Sequence, residues 1–268
     1  MAGRLAILAC DGALPVRIAE AYPDAMQITI RGIPSLLEAT ARQFELERIG
    51  TLFKAMKDAG VTRMVFAGSL SRPPLNPAEF DAEMMAIAPR LMMAIPKGDD
   101  ALLRQVMEFF EEQGFAVVGA HDLLPELVLE DGFAAGPAPG KTELSDARRA
   151  IEILAGISPL DLGQGCVVAG GQCLGIETVQ GTDALLGFVA QTPEKLRRGF
   201  KGVYVKAAKR GQDLRIDMPT IGPRTVESAA AAGLAGLIVE AGQVVVLDRE
   251  ATQKALAAHG LFLIAQVM

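Results

Sequence analysis

The chain has 268 residues, half of them hydrophobic and 22% charged, with 28 glycines and 15 prolines, a globular usage that excludes disordered and collagen-like chains. Its formal net charge is −6 and its lysines and arginines are scattered, so no basic stripe is present to neutralise a nucleic-acid backbone. The length lies between one large domain and two modest ones and is ample for a sizeable core.

Arg4 to Ala9 reads as a short apolar strand, Leu14 to Tyr22 as a helix with Leu14, Ile18 and Ala21 on one face, and Met26 to Ile30 as a second strand, the start of a β-α-β unit. Gly50 to Gly60 is a helix, and Thr62 to Ala67 a buried strand that ends at Gly68. Phe80 to Ile95 and Asp99 to Gln113 form two helices around a Pro96-Lys97-Gly98 turn, followed by a strand at Phe115 to Val118. Strands that alternate with helices imply a mostly parallel sheet, here Rossmann-like.

Glu130 to Gly140 packs three glycines, two prolines and two acids without periodicity and reads as a linker. Beyond it come a helix at Lys141 to Ala155, strands at Gln164 to Ala169 and Gln172 to Glu177 around a Gly170-Gly171 hairpin turn, and a helix at Thr182 to Ala190. A helix at Thr225 to Ala232, strands at Leu234 to Val239 and Gln243 to Leu247, a helix at Arg249 to His259 and a strand at Leu261 to Ala265 close the chain. Two α/β domains are expected, residues 1–132 and 133–268.

Met1 to Leu8 has one arginine and no long apolar region, so a secretory signal is not expected. No window approaches the ~18–20 apolar residues of a spanning helix, and the expected location is the cytoplasm. Cys10, Cys166 and Cys173 match neither a disulfide framework nor common zinc spacing and read as reduced packing residues. Lys195 to Arg210 carries seven basic residues, either a solvated helix end and loop or a contact for an anionic lipid surface or a phosphate.

Ala9-Cys-Asp-Gly-Ala-Leu-Pro15 is a strand-turn-helix that offers backbone N–H groups and a positive helix end to an anion such as pyrophosphate, though an ordinary tight turn reads the same way. Gly12, Ala13 and Leu14 are its candidate contacts; neither G-x-G-x-x-G nor the G-K-[ST] phosphate loop is present. Gly68, Ser69 and Arg72 leave the next strand with hydroxyl and guanidinium donors for phosphate or sugar oxygens, or as a polar loop held by its own serines. Lys97, Asp99 and Asp100 stand at a helix start, where capping explains one carboxylate and nucleotide or metal binding explains two. Thr182 and Asp183 open a later helix after Gln180-Gly181, as caps or as contacts.

Asp217 sits in an apolar frame of Ile216, Met218 and Ile221 beside Pro219, where a carboxylate needs a partner: water, Arg215, a cap or Mg²⁺. His121 and His259 fall in different domains and are too few for a His-based zinc site or a His-rich two-metal centre. His259 reads as the end of a helix before Gly260, and His121, after Val118-Gly-Ala, as a ligand contact. No G-x-S-x-G elbow supports a serine nucleophile.

Gly-Ala-Leu-Pro at 12–15, Phe-Ala-Gly at 66–68, Ser-Arg-Pro at 71–73, Lys-Gly-Asp-Asp-Ala-Leu-Leu-Arg at 97–104, Gly-Ala-His at 119–121, Gln-Gly-Thr-Asp-Ala at 180–184 and Asp-Met-Pro-Thr-Ile-Gly at 217–222 form an ordered series. In this order they resemble the UDP-2,3-diacylglucosamine pyrophosphatase family that is unrelated to the calcineurin-like enzymes. The resemblance implies two domains enclosing the ligand and Mg²⁺-dependent hydrolysis of UDP-diacylglucosamine to UMP and diacylglucosamine 1-phosphate, with water attacking the α-phosphorus. It implies an enzyme that is cytoplasmic or peripheral on the inner membrane, and a homodimer is compatible with it. Asp217 falls on the family's essential aspartate and is expected to hold the metal or orient the water, with Asp183 or Asp99 as a second carboxylate. Gln164 and Thr182 complete the substrate-binding set. Cys10-Asp11 replaces the family's first-turn glycines, so the backbone at 10 and 11 is not expected to hug a phosphate. Two rivals remain: a Rossmann-like nucleotide-sugar oxidoreductase or transferase, which would need the missing glycine fingerprint, and a non-catalytic nucleotide-sugar or lipid binding module, which would tolerate Asp217→Ala.

Overall fold

The computed structural model describes residues 3–70 and 73–268, and the chain divides into two compact units. One holds the residues up to Pro125 together with Asp213–Asp217; the other holds Glu126–Gln212 and Met218–Met268. Ser71 and Arg72, expected among the phosphate contacts, lie outside the described residues.

The first unit is built on five strands, β1 (Arg4–Ala9), β2 (Met26–Ile30), β3 (Arg42–Phe44), β4 (Val61–Ala67) and β5 (Ala116–Val117), in the order β3-β2-β1-β4-β5. Every neighbouring pair is parallel. Helices α1 (Leu14–Ala21), α2 (Ile49–Asp58), α3 (Ala82–Ala94), α4 (Asp99–Glu112) and α5 (Ala120–Leu123) complete the unit. A parallel sheet must be covered on both faces, and the alternation shows it. Ala6, Leu8, Ile28 and Met64 share a core with Phe53, Phe109 and Phe110, whereas Leu5, Ile7 and Val65 are as deeply buried facing the other way. The Phe53 ring meets those of Phe109 and Phe110 edge-on, centroids 5.0 Å apart. Asp81 caps α3 through the Met84 amide at 2.8 Å and also accepts from the Gly50 amide of α2 at 2.7 Å, so one carboxylate serves two helix starts. Strand β3 has no apolar run to announce it; it is a short, mostly exposed edge that opens on Arg42.

The second unit has a six-stranded mixed sheet of β6 (Ala134–Ala135), β7 (Gly165–Ala169), β8 (Gln172–Ile176), β9 (Val203–Lys206), β11 (Gly236–Glu240) and β13 (Phe262–Gln266), ordered β6-β13-β11-β9-β7-β8. A separate parallel ladder joins β10 (Thr220–Ile221) to β12 (Val245–Val246), so the expected strand at 243–247 stands outside the main sheet. The helices are α6 (Lys141–Ile157), α7 (Gly181–Ala190), α8 (Glu194–Arg197), α9 (Pro223–Ala231) and α10 (Arg249–His259). Cys166, Val168, Val203 and Val205 pack with Ala147, Ala150 and Leu154 of α6. Val167, Tyr204, Leu237 and Val239 face the other way, onto Leu185, Leu186, Val226 and Leu256 of α7, α9 and α10. The Gly/Pro-rich stretch read as a linker contains β6, which pairs antiparallel with β13.

The hairpin turn falls at Gly170 and Gly171 with φ of 56° and 78°, the left-handed pair that a tight hairpin turn needs. Asp146, 2% exposed, accepts both of their amides at 2.9 and 2.7 Å. The basic run 195–210 is solvated only in part. Arg197 is buried and donates to the Val189 carbonyl at 2.7 Å, Lys206 is buried in β9, and Lys209 pairs with Asp161. Lys195, Arg198, Lys201 and Arg210 remain exposed.

Gly68 has φ +94°, and a Cβ there would stand 2.5 Å from the Asp11 carbonyl oxygen. Gly68→Ala should therefore destabilise the first unit by about 2 kcal/mol, read as a lower denaturant midpoint; an unchanged midpoint would show that the loop relaxes freely.

Candidate functional site

In the first unit the strand order reverses between β1 and β4, the point where open α/β sheets bind ligands beyond their carboxyl ends. The ladder runs through Ala9 and Ala67 into the loops, with the Cys10 amide on the Ala67 carbonyl at 2.8 Å. Asp11 and Ser69 then exchange backbone bonds at 2.8 and 3.2 Å. Gly12, Ala13, Leu14, Gly68 and Ser69 are thereby brought to one edge, and the amides of 10 and 11 are spent on the partner loop. Helix α1 starts at Leu14 with no side-chain cap, which leaves its positive end facing that edge.

His121 follows β5, the neighbour of β4, in the first turn of α5. Its imidazole lies over Gly119, where a Cβ would come within 2.7 Å of Nδ1. Nε2 is 3.6 Å from Asp122 Oδ1, and Nδ1 is buried without a hydrogen-bond partner among the described residues. Lys97 is exposed, Gly98 turns at φ +107°, and Asp99 and Asp100 fill the first turn of α4, where the helix dipole favours carboxylates.

Helix α4 also carries the anchor of the segment that contains Asp217. Asp100 pairs with Arg104 at 2.9 Å one turn on. Arg215 grips Asp213 with two nitrogens, Nε on Oδ1 at 2.9 Å and Nη2 on Oδ2 at 2.6 Å, and reaches Glu111 of α4 at 2.8 Å. The Arg215 hydrogen bonds, helped by the field of Arg104, hold the Asp213 carboxyl below its ordinary range. Ile216 packs against the core beside them, and Asp217 is half-buried.

The second unit has its own cleft of about 370 Å³ between the starts of α7 and α9, lined by Thr182, Asp183, Thr220, Gly222, Arg224 and Leu247. Asp183 and Arg224 form an exposed ion pair of 2.7 Å on its rim. Gln164 is not in that lining; it precedes β7 and is bonded to Gln212 at 3.2 Å. The sequence reading missed Glu177, Tyr204 and Lys206, which surround the Thr182 hydroxyl; a lysine closing an apolar run was the available signal. A hollow of about 310 Å³ beside α7 is lined by Ile176, Ala184, Leu185 and the exposed Phe188.

Among the described residues no group of three or more His, Cys, Asp or Glu converges. Magnesium does not need one, since it takes one or two carboxylates and completes its shell with phosphate oxygens and water. Cys10 and Cys166 are buried, but Cys173 is exposed, its sulfur 3.9 Å from that of Cys166. The hydrogen bond from Cys166 holds the Cys173 thiol below its ordinary value, while burial pushes Cys10 up to about 11.

The sequence matches the LpxI N-terminal domain family over residues 4–127 and the LpxI C-terminal domain family over residues 130–264. It is 38% identical over 270 aligned residues to the UDP-2,3-diacylglucosamine pyrophosphatase LpxI of Caulobacter vibrioides, covering 97% of this chain and 96% of that relative.

Two outcomes follow from the charges. The depressed Asp213 carboxyl adds stability that is complete above its ordinary 3.8 and is lost as pH falls through the lower folded-state value. Arg215→Ala should therefore be less stable than the wild type at pH 7, with the gap narrowing below pH ~4 when unfolding is followed by circular dichroism; a gap independent of pH would exclude the pair as its source. In the native protein iodoacetamide should modify the exposed Cys173, whose thiol is held below its ordinary value, before the buried Cys10 or Cys166; equal labelling of the three in peptide mass spectra would contradict this.

Proposed function

The chain belongs to the LpxI family, and from that membership we propose that it hydrolyses UDP-2,3-diacylglucosamine to UMP and 2,3-diacylglucosamine 1-phosphate in lipid A biosynthesis. Coverage carries the assignment: both domain families are matched, and the relative named for this substrate aligns with 97% of the chain.

A diphosphate diester holds two negative charges, so its hydrolysis depends on neutralising and positioning them more than on covalent help. In the first unit, the start of α1, the Ser69 hydroxyl, Lys97 and the first turn of α4 are suited to a nucleotide and its phosphates. Asp217 is assigned to orient the water that attacks the α-phosphorus and to hold Mg²⁺. The chemistry of the residue fits that ion: Asp217, half-buried in the segment that Arg215 ties to α4, would supply one carboxylate oxygen, and magnesium takes one or two carboxylates and fills its shell with phosphate oxygens and water. When bound, magnesium would polarise a phosphoryl oxygen and offset developing charge. Asp183 is the second carboxylate of the proposal, keeping the Arg224 guanidinium on the rim of its cleft. The apolar hollow beside α7 is suited to an acyl chain.

No helix among the described residues is long and apolar enough to cross a membrane. Peripheral contact at the inner membrane belongs to the same proposal, because the substrate carries two acyl chains.

Purified protein incubated with UDP-2,3-diacylglucosamine and Mg²⁺ should release UMP and the sugar 1-phosphate. EDTA should stop the reaction, and Asp217→Asn should lower kcat by about 10²-fold or more with the fold retained. Intact substrate in every arm would overturn the hydrolase assignment in favour of a binding module, and turnover in EDTA would remove the metal.

A further inference from the structure

Lys206 closes β9, a strand buried along its whole length, and it is only 5% exposed. Its ammonium donates to Glu177 Oε1 at 3.2 Å, to Glu177 Oε2 at 3.1 Å and to Thr182 Oγ1 at 2.7 Å. Tyr204, two residues earlier on the same face, donates to Glu177 Oε2 at 3.0 Å, and the Thr182 hydroxyl gives its own hydrogen to that oxygen at 2.9 Å. Burial, with the Glu177 charge behind it, keeps the Tyr204 phenol protonated. Glycine makes the room: a Cβ on Gly165 would stand 2.4 Å from Glu177 Oε2 and 2.6 Å from the Tyr204 oxygen.

Holding the unit together does not call for such a pair. Removing both charges from water costs about as much as their attraction returns, and matched neutral side chains of similar size serve a core as well. What the pair does settle is the state of the hydroxyl of Thr182, a residue that also lines the cleft between α7 and α9. A hydroxyl has one hydrogen and two lone pairs. The hydrogen of Thr182 goes to Glu177 and one lone pair receives Lys206, while the Tyr204 hydrogen is already on Glu177. Toward a ligand, Thr182 can then only accept. A fully ionised phosphate oxygen, itself an acceptor, is refused; a ligand hydroxyl or amide N–H is taken.

We propose that Glu177 and Lys206 are positioning residues that lock Thr182 as a hydrogen-bond acceptor, so that its hydroxyl recognises a hydroxyl or amide N–H of the acylated sugar and not a phosphate oxygen. The proposal rests on the hydrolase assignment made above.

The test compares the wild type with Thr182→Val, Thr182→Ser and the neutral double variant Glu177→Gln/Lys206→Met. Each is assayed for kcat and KM with UDP-2,3-diacylglucosamine, for affinity toward the soluble probes UDP-N-acetylglucosamine and inorganic pyrophosphate, and for Tm. Thr182→Val and the double variant should raise KM and weaken UDP-N-acetylglucosamine binding about tenfold, with kcat and pyrophosphate affinity unchanged and Thr182→Ser close to the wild type. The double variant should keep its Tm, which separates positioning from folding. Wild-type KM and probe affinity in a folded double variant would overturn the proposal, as would a pyrophosphate affinity that falls in step with KM in Thr182→Val. A wild type that binds UDP-N-acetylglucosamine but leaves the lipid intact would sink the hydrolase assignment, and the ranking of probe affinities then decides the positioning role by itself.

Discussion

β1 and β4 are neighbours in space although the chain places β2 and β3 between them, and the first unit is organised by that pairing. Parallel strands joined through helices send all their carboxyl ends to one edge, and the reversal of strand order parts the crossovers there. The β1 and β4 ladders do not stop at the last strand residues. Beyond them Asp11 and Ser69 form an isolated antiparallel bridge, so two loops leave the sheet tied to each other. Gly68 is required because the Asp11 carbonyl occupies the space a side chain would fill. The candidate contacts at 12–14 and 68–69 inherit their positions from this clamp.

The second unit solves burial differently. Where the first fills its core with phenylalanines that meet edge-on, the second takes Asp146, Glu177, Arg197 and Lys206 inside and gives each a set of partners. Asp146 satisfies the amides of a hairpin turn, and Arg197 satisfies a carbonyl at the end of α7. These are the two ways a buried charge is tolerated, by closing backbone valences or by closing against an opposite charge. Their effect is to fix a turn, a helix end and one hydroxyl, each at a place where hydrophobic packing alone would leave the backbone or side chain free to choose.

Periodicity was a good guide wherever an element was long and one-sided. The strands at β1, β2 and β4 and the helices α2, α4, α6 and α10 were legible because apolar residues recur at the right interval. It failed at β9. Val203-Tyr-Val-Lys206 sits in a run of basic residues, and a linear reading weighs those charges as solvent-facing. Lys206 turns inward because Glu177, some thirty positions earlier, reaches the same point. It failed again at β3 and β6, two- or three-residue edges whose pairing partners supply the only reason to call them strands. Thr182 was singled out from its place at a helix start, but nothing local could reveal that its hydrogen was already committed.

Composition and alternation, by themselves, determined that this is a two-part α/β protein, and the order of its short motifs determined its family, because local propensity and motif order are written in neighbouring residues. Tertiary structure alone decided which charges are buried, that Asp213–Asp217 packs with the first unit while the residues on either side belong to the second, and what each polar side chain in the clefts can still donate or accept. The reason is physical: the state of a carboxylate, lysine or hydroxyl is set by the atoms within about 3 Å of it, and here those atoms come from residues far along the chain.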